Sequence, residues 1–234
     1  MSASGKKVAI IPARGGSKRI PRKNIKPFLG LPIISYSIKA ALASKLFDEV
    51  MVSTDDNEIA QVALQYGAKV PFMRSPSAAD DFATTADVIG EVLSEYEKQK
   101  IFFDYACCIY PTAPFITAST LRKAWEKLLE HNASSVFPMV KFSYPIWRSL
   151  KQENGAVAFN FPEFQNFRSQ DLPEAYHDAG QLYFFNVSSF QESKTLFFSN
   201  SIGVEVSELE CQDIDSETDW QLAEMKYQLV KNSM

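Results

Sequence analysis

Short apolar runs alternate with stretches of helical period along most of this chain, and that alternation constrains the fold more than any other feature. Val8–Ile11, Glu49–Ser53, Tyr105–Tyr110 and the SSVFPMV run at 134–140 read as strands. Helical spacing follows the first three: Ile33, Ile34, Ser37, Ile38, Ala41 and Leu42 behind Pro32, then 54–68 with Thr54, Asp55 or Asp56 as cap and Gly67 as its stop, then 117–131 with Leu121, Trp125, Leu128 and Leu129 inward. A third short strand is expected at Lys69–Phe72, leading through a polar loop at 73–85 into a helix to about residue 99. Repeated βα units imply a mostly parallel sheet with helices on its faces. Gln181–Val187 and Ile202–Val206 read as returning strands, around a short helix at 188–194, and a last helix begins near Ser216.

One stretch departs from this rhythm. Residues 142–179 are dense in aromatics, carry the Asn154-Gly155 hairpin signal and show no helical period, so they read as a β-rich arm inserted into a single domain spanning 1–234. A projecting hairpin with Phe159, Phe161, Phe164 and Phe167 would expose more apolar surface than monomers tolerate. The arm is therefore expected to serve self-association.

The chain's 234 residues include 24 lysines and arginines against 28 acids, and the charge is unevenly spread. Arg14, Lys18, Arg19, Arg22, Lys23 and Lys26 crowd into residues 14–26, where there is no acid. This segment follows the first strand and contains Gly15-Gly16, so backbone N–H groups can approach an anion closely. Short basic loops are ordinarily solvated surface. The glycines and the position at a strand's carboxyl end favour a phosphate cradle instead. Neither the Walker A spacing nor GxGxxG occurs. Duplex nucleic acid is not expected as a partner, because the positive charge is local and the chain is acidic overall, with a net charge of −4.

Asp213 and Asp215 stand one residue apart, which in an extended segment sends both carboxylates to the same side. Such a pair facing the cradle suits a divalent cation, Mg²⁺ or Mn²⁺, bound to a triphosphate. Asp215 alone could serve as charge compensation for the helix that follows. The loop MRSPSAADDFATT at 73–85 has Arg74, hydroxyls and acids; Thr84 or Thr85 with Asp87 reads as a helix cap. Cys107, Cys108 and Cys211 show neither disulfide nor metal-knuckle spacing and read as buried thiols. The apolar run behind Lys6 and Lys7 is too short for a signal peptide, and no run approaches a membrane span, so a cytoplasmic protein without membrane contact is expected.

IPARGGSKRIPRKN, the MRSPSAADD loop, YPTAP and QDIDSETDW, in this order, resemble the CMP-sialic acid synthetases, or acylneuraminate cytidylyltransferases, over nearly the whole chain. Kdo cytidylyltransferases begin similarly but carry Thr-Arg and Lys-Pro pairs where this chain has Ser17-Lys18 and Lys23-Asn24. The resemblance implies a Rossmann-like nucleotidyltransferase domain that moves CMP from CTP to the anomeric hydroxyl of a nonulosonic acid with a divalent cation, and the self-association expected of the arm would make it a homodimer. It implies that Arg14 and Lys18 act on the reacting phosphates, and that Ala13, Gly15, Ser17, Lys23, Asn24, Arg74, Asp81 and Thr84 join them in holding the nucleotide. It implies metal binding by Asp213 and Asp215, and sugar contacts by Tyr110, Thr112, His177, Asp178 and Gln181.

Sialic-acid enzymes generally have QPTSP and PNGAIY where this chain has YPTAP and HDAGQLY, a departure that resembles the family's pseudaminic acid branch. A metal-dependent nucleotide-sugar glycosyltransferase is the competing enzyme class, since an Asp-x-Asp pair serves there too. A non-catalytic nucleotide sensor is a third reading. His177 reads as a sugar contact or surface group rather than a base, and His131 as structural.

Overall fold

The computed structural model describes residues 5–80 and 82–232; Asp81 lies outside the described residues. The chain enters as β1 (Lys7–Pro12), whose Val8, Ala9, Ile10 and Ile11 are all fully buried, as expected of a central strand covered on both faces. The basic loop follows, closed by a two-residue ribbon of β2 (Pro27–Phe28) and β3 (Leu31–Pro32). Pro32 therefore belongs to that ribbon, and α1 starts later, at Ile34–Ser44. Leu42 on α1 is 42% exposed rather than inward.

Next come β4 (Glu49–Ser53) and α2 (Asn57–Gln65). The third strand expected at 69–72 does not form: Lys69 makes a single parallel bridge to Met51. Pro71, which has no N–H to donate, stands just beyond. After α3 (Pro76–Ala79) and α4 (Thr85–Lys98), β5 (Tyr105–Ile109) pairs in parallel beside β1, and α5 (Ala118–Glu130) leads to β6 (Ser135–Lys141).

The arm is less β-rich than its composition suggests. It holds one hairpin, β7 (Leu150–Glu153) with β8 (Ala156–Phe159), turning through Asn154 and Gly155 at φ 51° and 83°, and three short 3-10 turns. Positive φ at both turn positions is what Asn-Gly supplies. Phe161 and Phe164 pack on Trp147, while Leu150 and Val157 on the hairpin stay exposed.

The chain then returns as β9 (Tyr176–Asp178) and β10 (Leu182–Asn186), followed by α6 (Val187–Ser193), β11 (Ile202–Glu205) and α7 (Glu217–Asn232). The main sheet runs β11-β6-β10-β5-β1-β4, with β9 on the far half of β6. β9 and β10 run antiparallel to their neighbours and β1, β4, β5, β6 and β11 run together, so the sheet is mixed but mostly parallel. No crossover helix separates β9 from β10, and both lie on β6 as one strand broken at Ala179–Gln181, with Gly180 at φ 60°. One sheet face packs on α1, α2 and α5, the other on α4 and α6. A third cluster, Ile20, Phe28, Ile33, Phe115, Ile214 and Trp220, ties the basic loop to α7.

Candidate active site

The carboxyl ends of β1 and β5 open into a cleft of about 580 Å³, lined by Arg14, Ser17, Lys18, Arg19, Lys23, Asn24, Arg74, Thr84, Tyr110 and Thr112 among others. Among the described lining residues five side chains are cationic and one, Asp80, is a carboxylate. The loop that supplies four of the cations has no regular structure beyond a short turn at Lys23–Ile25, so side chains hold it in place. Asn24, buried, donates to the Arg14 carbonyl at 2.9 Å, and Arg14 donates across the cleft to the Asp80 carbonyl at 3.2 Å. Lys23 Nζ donates to the Ile214 carbonyl at 2.6 Å, and Arg19 pairs with Asp215 at 2.7 Å.

Two of the six loop cations turn away from the cleft. Arg22, held at φ 55°, forks onto Asp56 at 2.5 and 2.9 Å and reaches Glu58 at 2.5 Å. That pairing raises the Arg22 guanidinium and holds the Asp56 carboxyl down at about 2. A left-handed non-glycine residue is strained, and the charge pairing offsets the strain. Lys26 pairs with Glu217 and lies over the Trp220 ring. Ala13 and Gly15 support the loop without lining the cleft: Ala13 N donates to the Ser53 carbonyl and Gly15 N to Asp55. A Cβ at Gly15 would lie 2.8 Å from Asp56 Oδ2, a close approach that only glycine fits.

The wall opposite is the loop between residues 73 and 84. Arg74 is buried, donating through Nε to Ser53 Oγ at 3.0 Å and through an outer nitrogen to the Ser53 carbonyl at 2.6 Å. Burial pulls its guanidinium below the ordinary value, with Asp55 and Glu91 opposing. Thr84 forms the expected reciprocal cap with Asp87 at the start of α4 and also faces the cleft.

Tyr110 is the partition. It lines this cleft and also a second one of about 390 Å³ with Val140, His177, Asp178, Gly180, Glu208, Cys211, Asp213 and Lys226. Its hydroxyl lies 3.3 Å from Thr85 Oγ1, and burial raises its pKa. Asp178 is held from two sides, accepting from Gly180 N at 2.9 Å and from the Tyr183 hydroxyl. Burial, then that bond, raise the Tyr183 phenol. His177 is exposed against Phe142, its Nδ1 2.9 Å from the Asp178 carbonyl.

Gln181 reaches neither cleft. Its side chain is buried and donates to the Glu210 carbonyl, while its own carbonyl accepts from Tyr110 N. Asp213 is exposed on the second cleft, Ile214 is buried, and Asp215 sits between Arg19 and Lys23. Four contributors were not singled out from the sequence for these roles: Arg19, one of the cations in the run; Thr85, paired above only with a helix cap; Tyr183, an alternate position of β10; and Lys226, in whose helix nothing marks it.

A strand-end cleft with clustered cations, beside a second cleft of carboxylates and hydroxyls, is the layout of a site that brings a polyphosphate to a polar acceptor. A family model described as cytidylyltransferase matches residues 8–223. The chain belongs to this cytidylyltransferase family. It is a nucleotidyltransferase by that membership. The chain is 43% identical to the pseudaminic acid cytidylyltransferase of Campylobacter jejuni, over 96% of this chain and 97% of that protein. It is 32% identical to the CMP-N,N'-diacetyllegionaminic acid synthase of Legionella pneumophila, over 97% and 98%. A solved CMP:2-keto-3-deoxy-manno-octonic acid synthetase complexed with CTP superposes with a TM-score of 0.70 at 19% identity, covering 97% of this chain and 99% of that one, a likeness of cytidylyltransferase fold.

Proposed function

We propose that this cytidylyltransferase transfers CMP from CTP to the anomeric hydroxyl of a nonulosonic acid, pseudaminic acid, and releases pyrophosphate. The observation that carries the reading is the pair of clefts meeting at Tyr110, one cationic and one rich in polar acceptors. The greater identity to the Campylobacter enzyme than to the legionaminic acid synthase favours pseudaminic acid as the sugar.

Phosphoryl-type transfer asks for alignment and charge neutralisation more than for covalent chemistry by the protein. In this reading Arg14 and Lys18 meet the β- and γ-phosphates, so that charge developing on the leaving pyrophosphate falls among fixed cations. Ser17, Lys23 and Asn24 seat the nucleotide, Arg74 and Thr84 close over it, and Tyr110 with Thr112 holds the boundary across which the sugar hydroxyl attacks. Asp178, fixed by Tyr183 and Gly180, accepts from the sugar's N–H or hydroxyl groups, with His177 at the rim.

Asp213 and Asp215 fit a divalent cation, Mg²⁺ or Mn²⁺: they offer hard oxygens on either side of buried Ile214. Among the described residues no group of three acids, histidines or cysteines is placed to hold an ion, so Asp213 and Asp215 would hold it together with the substrate's phosphates. When bound, the ion neutralises phosphate charge and polarises the reacting centre. Exposed Tyr144, Leu150, Val157 and Phe167 on the arm support a homodimer. No described helix is long and apolar enough to cross a membrane.

The test is CTP and Mg²⁺ with pseudaminic, legionaminic and N-acetylneuraminic acids in parallel, scoring pyrophosphate. Turnover greatest with pseudaminic acid and abolished by EDTA is expected. A preference for another acid would reassign the sugar, and no pyrophosphate with any of the three would sink the reading.

A further inference from the structure

The second cleft has an electrostatic problem that its lining poses and one residue answers. Its described lining includes three carboxylates, Asp178, Glu208 and Asp213. Carboxylates suit a sugar's hydroxyl and amide N–H groups, but a nonulosonic acid also brings a carboxylate of its own. A divalent ion on Asp213 would answer that carboxylate alone; Asp178 and Glu208 remain, and an anion placed beside them needs a fixed cation.

Among the described lining residues the permanent cation is Lys226, from the second half of α7. Its ammonium donates to the Cys211 carbonyl at 2.9 Å and the Glu208 carbonyl at 3.1 Å. An ammonium has three N–H groups. Two fix its position on the cleft floor, and the third remains for a ligand. The floor is itself anchored, since Cys211 Sγ contacts the Ala179 carbonyl at 3.4 Å and Ala179 N donates to the Pro138 carbonyl. The other basic side chain in the lining, His177, is exposed, with Nδ1 turned to the Asp178 carbonyl.

We propose that Lys226 is a specificity-determining residue that binds the carboxylate of the acceptor sugar. The inference rests on the nonulosonic acid reading above and deepens it. In such a sugar the carboxylate and the attacking hydroxyl sit on the same anomeric carbon. Anchoring one therefore sets where the other points, and Lys226 selects a 2-keto acid sugar over a neutral sugar of the same shape. A charge-assisted hydrogen bond of this kind is worth about 10- to 100-fold in affinity.

The experiment is a cycle between residue and substrate. Wild type and Lys226→Met are assayed for kcat/KM with pseudaminic acid and with its C1 carboxamide, which keeps the shape and removes the charge. Wild type is expected to prefer the acid by about 10- to 100-fold, and Lys226→Met to lose that preference while its KM for CTP stays unchanged. Lys226→Arg should recover part of it. If Lys226→Met slows acid and amide equally, Lys226 only braces the Glu208–Cys211 turn and the assignment falls. Wild-type turnover of pseudaminic acid in the same series tests the underlying reading separately. Turnover without coupling overturns Lys226 alone, and no turnover with any nonulosonic acid overturns the reading and the assignment together.

Discussion

Asp56 does three things with one carboxylate, and two substitutions separate them. It caps α2 by accepting from Glu58 N and Ile59 N, both at 3.0 Å; it binds Arg22 through two hydrogen bonds; and it backs Gly15. The hydrogen bond from Arg22 is the largest cause lowering its pKa from 3.8 to about 2, and a shift near two units corresponds to roughly 2.5 kcal/mol before screening. The side chains of Arg22 and Asp56 are 38% and 23% exposed, which reduces the pair's share to about 1 kcal/mol. Asn caps helices about as well as Asp, so Asp56→Asn removes the charge pair alone; Asp56→Ala also removes the cap, about 1 kcal/mol more. For a domain of this size 1 kcal/mol moves Tm by about 2–4 °C.

Asp56→Asn is thus expected about 2–4 °C below wild type at pH 7, and Asp56→Ala about 4–8 °C below. The folded-state pKa is depressed, so the charge-pair contribution is present above the unfolded value near 4 and is lost as pH falls through 4 toward 2. Urea unfolding at pH 7, 5, 4 and 3 should show the gap between Asp56→Asn and wild type constant down to about pH 5 and shrinking below it. An Asp56→Asn protein as stable as wild type at pH 7, or a gap undiminished at pH 3, would refute the assignment of the stability to the Arg22 pair.

Lys18→Ala should lower kcat by about 10²–10³-fold with little change in Tm, read by pyrophosphate release; an unchanged rate removes Lys18 from the reacting phosphates. Tyr183→Phe deletes only the hydroxyl that donates to Asp178, so KM for the sugar should rise about tenfold while KM for CTP holds, and equal changes in both would point to general damage. Leu150→Asp with Val157→Asp, both on the exposed hairpin, should convert a dimer to a monomer in gel filtration; a wild-type protein already monomeric at micromolar concentration would end the self-association reading.

The elements that announced themselves in the sequence are those whose determinants are local. The Thr84–Asp87 cap and the Asn154-Gly155 turn each span a few residues and form as expected, and α7 begins beside Ser216 as expected, with Ser216 and Asp219 bonded to each other. What the sequence concealed depends on partners far along the chain. Gln181 stands in a motif beside the second cleft, yet its amide turns to a carbonyl 29 residues on. The direction of β10 follows from the arm returning to β6 without a crossover helix, which no local period encodes.

The basic loop is the clearest case, because composition shows how many charges it has and not where each one points. Arg22 finds its anions 34 and 36 residues away on α2, and Lys26 finds Glu217 at the head of α7, 191 residues away. An irregular loop of like charges would otherwise splay apart. Tethering it at Arg22 on one side and at Lys26 and buried Ile20 on the other holds Arg14, Lys18, Arg19 and Lys23 together around the cleft. Lys23 then reaches the Ile214 carbonyl and Arg19 reaches Asp215, so the same loop that gathers the cations also fixes the segment carrying the two carboxylates. The cations that turn away from the cleft are therefore what assemble it, and the reading of six equivalent charges gives way to four that line the cleft and two that hold them there.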